Sequence, residues 1–295
     1  MQPPFSRKRY RLWPLAVAGL LALAVLAAKL DLFHSPAEKI ESQRSLLDQA
    51  VGFYEKGAYG DGEQLCLRVL GMKGVSEPIE AECRYLLGKI QTSVAQFGAA
   101  KENLGQALPH FEKLEDPAGI YRTQCAMAEL ALATCNGAKA ENHIELARQF
   151  GEAGSQDLGP LYYLQAELAF KDRDFQRALA FSQLRYASYR DTGKIEATAD
   201  SLIDMAFFLI LTGEDDPGFE NAMEAQELLL KSRNKNKIYY NFINLMILRR
   251  CENQGYEALE NAIREHLEEG PDYRLQKLLD FALGPACELK GPAQP

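Results

Sequence analysis

Residues 95–108 read AQFGAAKENLGQAL, with an aromatic ring at Phe97, a small residue at Ala100 and apolar residues at Leu104 and Ala107. Steps of three and four residues put all four on one face of an α-helix. Four further segments carry a related arrangement: GAYGDGEQLCLRVL from Gly57, CNGAKAENHIELAR from Cys135, RDFQRALAFSQLR from Arg173 and NQGYEALENAIREHL from Asn253. Aligned on this helix, small or apolar residues recur at Gly62, Ala100, Ala140, Ala178, Ala222 and Leu259, spaced by 38, 40, 38, 44 and 37 residues. A nearly fixed period marks a repeat array, in which one amphipathic hairpin cannot bury its apolar face alone and must stack on its neighbours.

Outward from these segments, three- and four-residue apolar spacing runs almost without interruption from residue 38, and no period-two run bounded by hairpin turns breaks it. Gly71 to Pro78, Pro117, Gly137, Gly151 to Pro160, Gly193, Gly213 to Gly218, and Gly270-Pro271 punctuate the pattern. The intervening helices should be roughly 12 to 18 residues long, which suits helical hairpins. Gly88, Ala100, Ala128, Ala140, Ala166, Ala178, Ala206 and Ala222 read as points where two helices cross closely. The stretch Tyr273 to Leu283 reads as a capping helix, with Leu275, Leu278, Leu279, Phe281 and Ala282 toward the stack and Arg274, Gln276 and Lys277 outward. Glu214 to Gly218 reads as a turn carrying a short insertion.

This arrangement resembles the tetratricopeptide repeat (TPR) family in a long-repeat variant, over approximately residues 38 to 270. The second unit, with Leu87-Gly88 before Phe97, Ala100, Leu104 and Ala107, carries it best, followed by the fourth, with Ala166, Phe175 and Ala178. Gly62 and Leu259 stand where the family has Ala. The resemblance implies an all-α, right-handed superhelical solenoid of about six helix-turn-helix repeats plus the capping helix. It also implies a concave groove, lined by the first helix of each repeat, that accepts a protein partner as a peptide segment or helix. Carried onto this chain, that groove takes Tyr54, Tyr85, Lys89, Arg122, Glu129, Tyr163, Glu167, Phe170, Phe207, Asn241 and Asn244. The Lys and Asn carboxylate clamp of the chaperone-tail binders in that family does not appear at matching positions. A HEAT-like solenoid of helix pairs is the competing architecture.

The chain has 295 residues, of which 47% are hydrophobic and 25% charged, enough apolar material for a packed core and against wholesale disorder. Its charge is divided. Residues 1 to 35 carry Arg7, Lys8, Arg9, Arg11 and Lys29 against Asp31, a net of +4, and leave 28 basic and 40 acidic residues beyond, a net of −12. An acidic body excludes general nucleic-acid binding, which draws on clustered Lys and Arg. A single basic run, KSRNKNK at 231–237, reads as an interhelical loop with the option of touching an acidic partner or lipid head groups.

Leu12 to Ala28, LWPLAVAGLLALAVLAA, holds no charge and follows the basic cluster. As a helix it spans about 26 Å at 1.5 Å per residue, and Leu30, Leu32 and Phe33 extend it toward a ~30 Å hydrocarbon core. The expected organisation is a basic cytoplasmic N-terminus at 1–11, a transmembrane signal anchor at 12–33, a linker at 34–37, the repeat domain at 38–284 and a flexible tail at 285–295. Basic residues ahead of the apolar run place the body outside the cytoplasm, in the periplasm if the membrane is a bacterial inner (plasma) membrane. A signal peptide cleaved near Ala27, or an organellar import segment, competes with the anchor.

No catalytic constellation emerges. His34, His110, His143 and His266 lie in different units without the i, i+4 spacing of helical zinc sites, and neither a phosphate-cradling loop nor a G-x-S-x-G elbow occurs. The six Cys include no C-x-x-C pair. Cys66 and Cys83 flank the Gly71 to Pro78 turn at similar distances, so adjacent helices bring them together as a bridge or as two buried thiols. Cys125 and Cys135 fall on one expected helix, too far apart to pair. No enzyme activity, metal or cofactor is therefore expected. The expected function is a membrane-anchored scaffold that binds a protein and organises a cell-envelope assembly, with a ligand-sensing module for a small molecule or glycan as the alternative. Intact-mass analysis of the mature protein should find residues 1–28 retained; a product beginning near Ala28 overturns the anchor.

Overall fold

A computed structural model describes residues 36–154, 156–232, 237–251 and 255–284. The expected basic N-terminus, the 12–33 anchor, the 285–295 tail and most of KSRNKNK lie outside the described residues. Among the described residues, no helix is long and apolar enough to cross a membrane. The chain divides into two compact units after Ser45. Of the first, the described part is the opening of helix α1 (Pro36–Glu55), so Pro36 serves as a first-turn residue and the expected linker is shorter by two residues.

The second unit, from Leu46, contains the rest of α1 and twelve further helices: α2 (Tyr59–Leu70), α3 (Glu77–Ser93), α4 (Phe97–Lys113), α5 (Pro117–Ala133), α6 (Gly137–Ala153), α7 (Gly159–Lys171), α8 (Phe175–Tyr189), α9 (Ile195–Thr212), α10 (Asp215–Lys231), α11 (Ile238–Cys251), α12 (Glu257–Glu269) and α13 (Tyr273–Leu283). Consecutive helices pair as hairpins, α3 with α4, α5 with α6, α7 with α8, α9 with α10 and α11 with α12. First helices of neighbouring hairpins also touch, α3 with α5, α5 with α7 and α9 with α11, which forms an inner row. The chain thus adopts a TPR-like helical-repeat fold, with no strand among the described residues.

The period resides in a turn repeated inside successive hairpins. Gly57, Ala95, Cys135, Arg173 and Gly213 each have positive φ, of 74°, 61°, 54°, 61° and 90°. The next amide in each case donates five residues back: Ala58 to Phe53, Gln96 to Gln91, Asn136 to Ala131, Asp174 to Ala169 and Glu214 to Leu209, at 2.7–2.9 Å. This is the Schellman closure, which satisfies carbonyls left over at a helix C-terminus. Five residues after each left-handed residue stands a buried small one, at Gly62, Ala100, Ala140, Ala178 and Gly218, a period of 38, 40, 38 and 40 residues.

Gly218 therefore replaces Ala222 as the fifth crossing point. A Cβ there would lie 2.7 Å from the Ile210 side chain and 3.2 Å from the Ala206 carbonyl, so the α9–α10 crossing takes glycine. The expected turn and insertion at Glu214 to Gly218 is instead the first turn of α10, where Asp215 and Asp216 favour the positive end of the helix dipole. Pro217 is tolerated there because first-turn amides lack intrahelical acceptors.

Cys66 and Cys83 do come together across the α2–α3 turn, both buried, and their thiols are free and hydrogen-bonded to one another. That hydrogen bond and burial push the Cys66 pKa far up. Cys125 is buried on α5, whereas α5 ends at Ala133 and leaves Cys135 exposed in the turn, so the two do not share a helix.

The capping helix α13 buries Leu275, Leu279 and Ala282 in one cluster with Ile243, Met246 and Ile247 of α11 and Ile263 of α12. Asp272 caps its N-terminus by accepting from the Leu275 amide at 3.0 Å, and Arg250 donates to the carbonyls of Ala282 and Gly284 at its other end. Arg274, expected to face outward, instead points back along the inner row.

Gly119 on α5 tests the close crossings, because a Cβ there would lie 2.2–2.6 Å from the Phe111 ring of α4, whereas one at Gly105 meets nothing within 4 Å. Gly119→Ala should destabilise by about 1–2 kcal/mol through overpacking, while Gly105→Ala should stabilise by up to about 1 kcal/mol through helix propensity. Urea midpoints of the two variants check both signs.

Candidate partner-binding groove

The repeat period aligns residues one unit apart on the inner row. Glu82 of α3 and Arg122 of α5, 40 positions apart, form an ion pair at 2.6 Å, and two helical turns further along, Lys89 and Glu129 repeat it with the charges exchanged. The Arg122 guanidinium lies 5.1 Å from the Tyr85 ring. Burial draws Lys89 toward the neutral amine, but Glu129, with Tyr54 and Tyr85, outweighs it and holds the Lys89 pKa well above its ordinary value. Burial likewise pushes the Tyr85 phenol up to about 12.

Farther along the row, side chains of alternating charge form a chain. Lys237 pairs with Asp200 at 2.5 Å, Asp200 approaches Arg185 at 4.0 Å, and Arg185 pairs closely with Asp204. Asp204 also accepts from Arg274 of α13 at 3.4 Å, and Arg274 reaches Glu167 of α7 at 3.2 Å. The Arg274 guanidinium is sandwiched between the Tyr163 ring at 4.8 Å and the Tyr240 ring at 5.1 Å. Burial opposes both arginine charges, and the carboxylates hold them ionised. Beside this chain, Phe170 packs edge-on against Phe207 at 5.3 Å and against Phe281 of α13 at 5.2 Å.

A cavity of about 700 Å³ remains between α13 and the inner row. Its walls include Tyr54, Tyr59, Ser93, Glu129, Tyr163, Glu167, Phe170, Arg185, Asp204, Tyr240 and Arg274. Of the residues expected to line a groove, Tyr54, Glu129, Tyr163, Glu167 and Phe170 meet here. Tyr85, Lys89 and Arg122 lie on the same row in the ion pairs above, and Phe207 is buried beneath Phe170 and Phe281.

Asn241 and Asn244 depart from the expectation. Both are buried, and their amides bond the carbonyls of Ala222 at 2.8 Å and Ile203 at 2.9 Å, so they bridge α11 to α10 and to α9 rather than face the groove. Sequence reasoning missed Arg185, Asp204, Tyr240 and Arg274. Arg185 comes from the second helix of its hairpin and Arg274 from the cap, two elements that repeat logic assigns to the outside. Asp204 was legible in principle, as an acid inside the apolar run LIDMAFFLIL of α9. Among the described residues, no group of three or more His, Cys, Asp or Glu side chains is placed to hold a metal ion.

Among solved structures, the crystal structure of the apo form of RapI is similar to this chain, with a TM-score of 0.56 over 96% of this chain and 92% of that one at 13% identity. At that identity the likeness shows the fold alone. Neither a protein-family model nor a curated protein matches the sequence. The class that fold and comparison define together is a TPR-like helical-repeat protein.

Arg185 stands between two carboxylates, and its loss leaves Asp204, which is 8% exposed, with the long Arg274 contact alone. Arg185→Met should destabilise by about 2–3 kcal/mol, whereas adding Asp204→Leu should restore more than half of that, because an unpaired buried charge costs more than an absent pair. Chemical denaturation of the two variants measures the difference.

Proposed function

We propose that the repeat unit binds a protein partner in its inner groove, as a helix or extended peptide, and that the 12–33 segment tethers it to a membrane so that the complex assembles at the cell envelope. The observation that carries the binding half is the cavity of about 700 Å³ walled by tyrosines and charged side chains on first helices of successive repeats. Tyrosine and arginine in a desolvated setting supply large contact area with polar tips, the composition of binding hot spots. The tether and the extracytoplasmic location rest on the charge-free run after a basic cluster. The reading assigns no catalytic step, since carboxylates such as Glu129, Glu167 and Asp204 are taken up in ion pairs that join helices. An acidic body argues for a protein rather than a nucleic acid as partner.

A second reading, a module that senses a small molecule or glycan, draws support from the same cavity, because its volume falls in the range of small-ligand sites and polar groups converge on it. A photo-crosslinking amino acid at Tyr54 or Ser93, in the full chain in its own membrane, separates the two. The expected outcome is one recurrent protein adduct that Glu129→Lys weakens at least tenfold. No protein adduct, together with a co-purifying small molecule seen by native mass spectrometry, supports the second reading instead.

A further inference from the structure

We propose that α13 is a tethered occupant of the inner groove, and that the partner enters as a helix of the same design: an aromatic–arginine pair in its first turn, a leucine one turn on and an aromatic ring two turns on. The inference deepens the groove reading above and rests on it.

Two faces of α13 do different work. One, with Leu275, Leu279 and Ala282, lies on α11 and α12, as a cap should. The other crosses to helices that a cap has no need to touch. The Tyr273 ring meets Phe97 of α4 edge-on at 5.2 Å, and its hydroxyl donates to the Ala133 carbonyl at the end of α5. Arg274 lies between Tyr163 and Tyr240, and Phe281 rests on Phe170 and Phe207. One helix therefore touches the inner surface of several repeats, which is how a bound helix engages a groove.

The groove is built for a cation at the Arg274 position. Without α13, the chain of Lys237, Asp200, Arg185, Asp204 and Glu167 contains two cations and three anions, so one negative charge faces two tyrosine rings. An arginine satisfies both demands, through its planar fork toward carboxylates and its face toward aromatic rings. The α13 arginine fills that seat incompletely. Its contacts to Glu167 and Asp204 are 3.2 and 3.4 Å through the same Nη2 atom, its Nε is buried without a hydrogen-bond partner, and the cavity of about 700 Å³ stays open beside it.

Displacement has a simple route. Gly270 and Pro271 separate α13 from α12, so rotation at this joint frees the helix without unfolding its neighbour. While attached, α13 competes at the millimolar effective concentration typical of a short tether, which sets a threshold that a partner must exceed. A partner must also replace Leu275 and Leu279 of α13, which pack on α11 and α12, so an arginine in an extended peptide is insufficient and a helix is required.

The test uses the full chain and a fluorescent synthetic peptide of residues 271–284. Arg274→Glu in the chain sets the tethered helix against Glu167 and Asp204. The labelled wild-type peptide should bind this variant at least tenfold more tightly than it binds the unaltered chain, and a peptide carrying Arg274→Glu should bind neither. Equal affinity for both chains, or equal binding of both peptides, overturns the inference. So does a variant that forms a helix-exchanged dimer by light scattering, since the groove then serves a second copy. Hydrogen exchange on the unaltered chain provides a reading independent of the variant's folding. Amides of α13 should open at least tenfold more often than those of α11, and equal protection overturns the inference because the helix then leaves only on global unfolding. If these fail while the crosslinker at Tyr54 still captures a protein, the groove reading stands and only the tethered-occupant reading falls.

Discussion

The distance between the two helices of each hairpin is the constraint on which the rest depends. Where the second helix crosses the first, a residue no larger than alanine is buried at 0% exposure, as at Ala100, Ala140 and Ala178, or is replaced by glycine, as at Gly62 and Gly218. Five residues upstream, a left-handed residue reverses the chain with the same hydrogen bond each time. Two of these five positions are glycine; Ala95, Cys135 and Arg173 accept a conformation that costs an L-residue about 1 kcal/mol each. Tight crossing and uniform reversal set the repeat at 38 to 40 residues, and that length places Glu82 opposite Arg122 and Lys89 opposite Glu129. The ion pairs of the groove are consequences of hairpin geometry.

That periodicity was readable before any coordinates, because buried small residues and apolar neighbours repeat at helical spacing. The register of the fifth unit was not. Ala222 lies one helical turn past Gly218, both are buried on the same face of α10, and either satisfies a pattern of small residues at spacings of three and four. The left-handed residue at Gly213 separates them, and a backbone dihedral leaves no unique trace in sequence when alanine, cysteine and arginine occupy equivalent turns.

The candidate site divides along the same line. Residues on first helices, from Tyr85 to Phe170, followed from counting turns. Asn241 and Asn244 sit on a first helix too, yet a short polar side chain reaches a carbonyl of the adjoining helix more readily than it spans a groove, and both amides do so. Arg185 and Arg274 run the other way. A long side chain extends several ångströms beyond its own helix, so an arginine on a second helix or on a cap enters a surface that its Cα does not belong to.

Length and planarity also explain why arginine, among the residues of α13, organises the groove. Its guanidinium lies between the rings of Tyr163 and Tyr240 and at the same time reaches carboxylates on α7 and α9. A lysine in that seat would retain the charge but lose the flat face that lies between the two rings. Because Asp204 also serves Arg185, the two arginines share one carboxylate, and neither has a hydrogen-bond partner for its Nε atom. Buried donors without acceptors are unfavourable where they stand and become favourable once an acceptor arrives. The groove therefore combines a cation seat that is already occupied with donors that are not yet satisfied, an electrostatic setting that rewards the exchange of one bound helix for a better one.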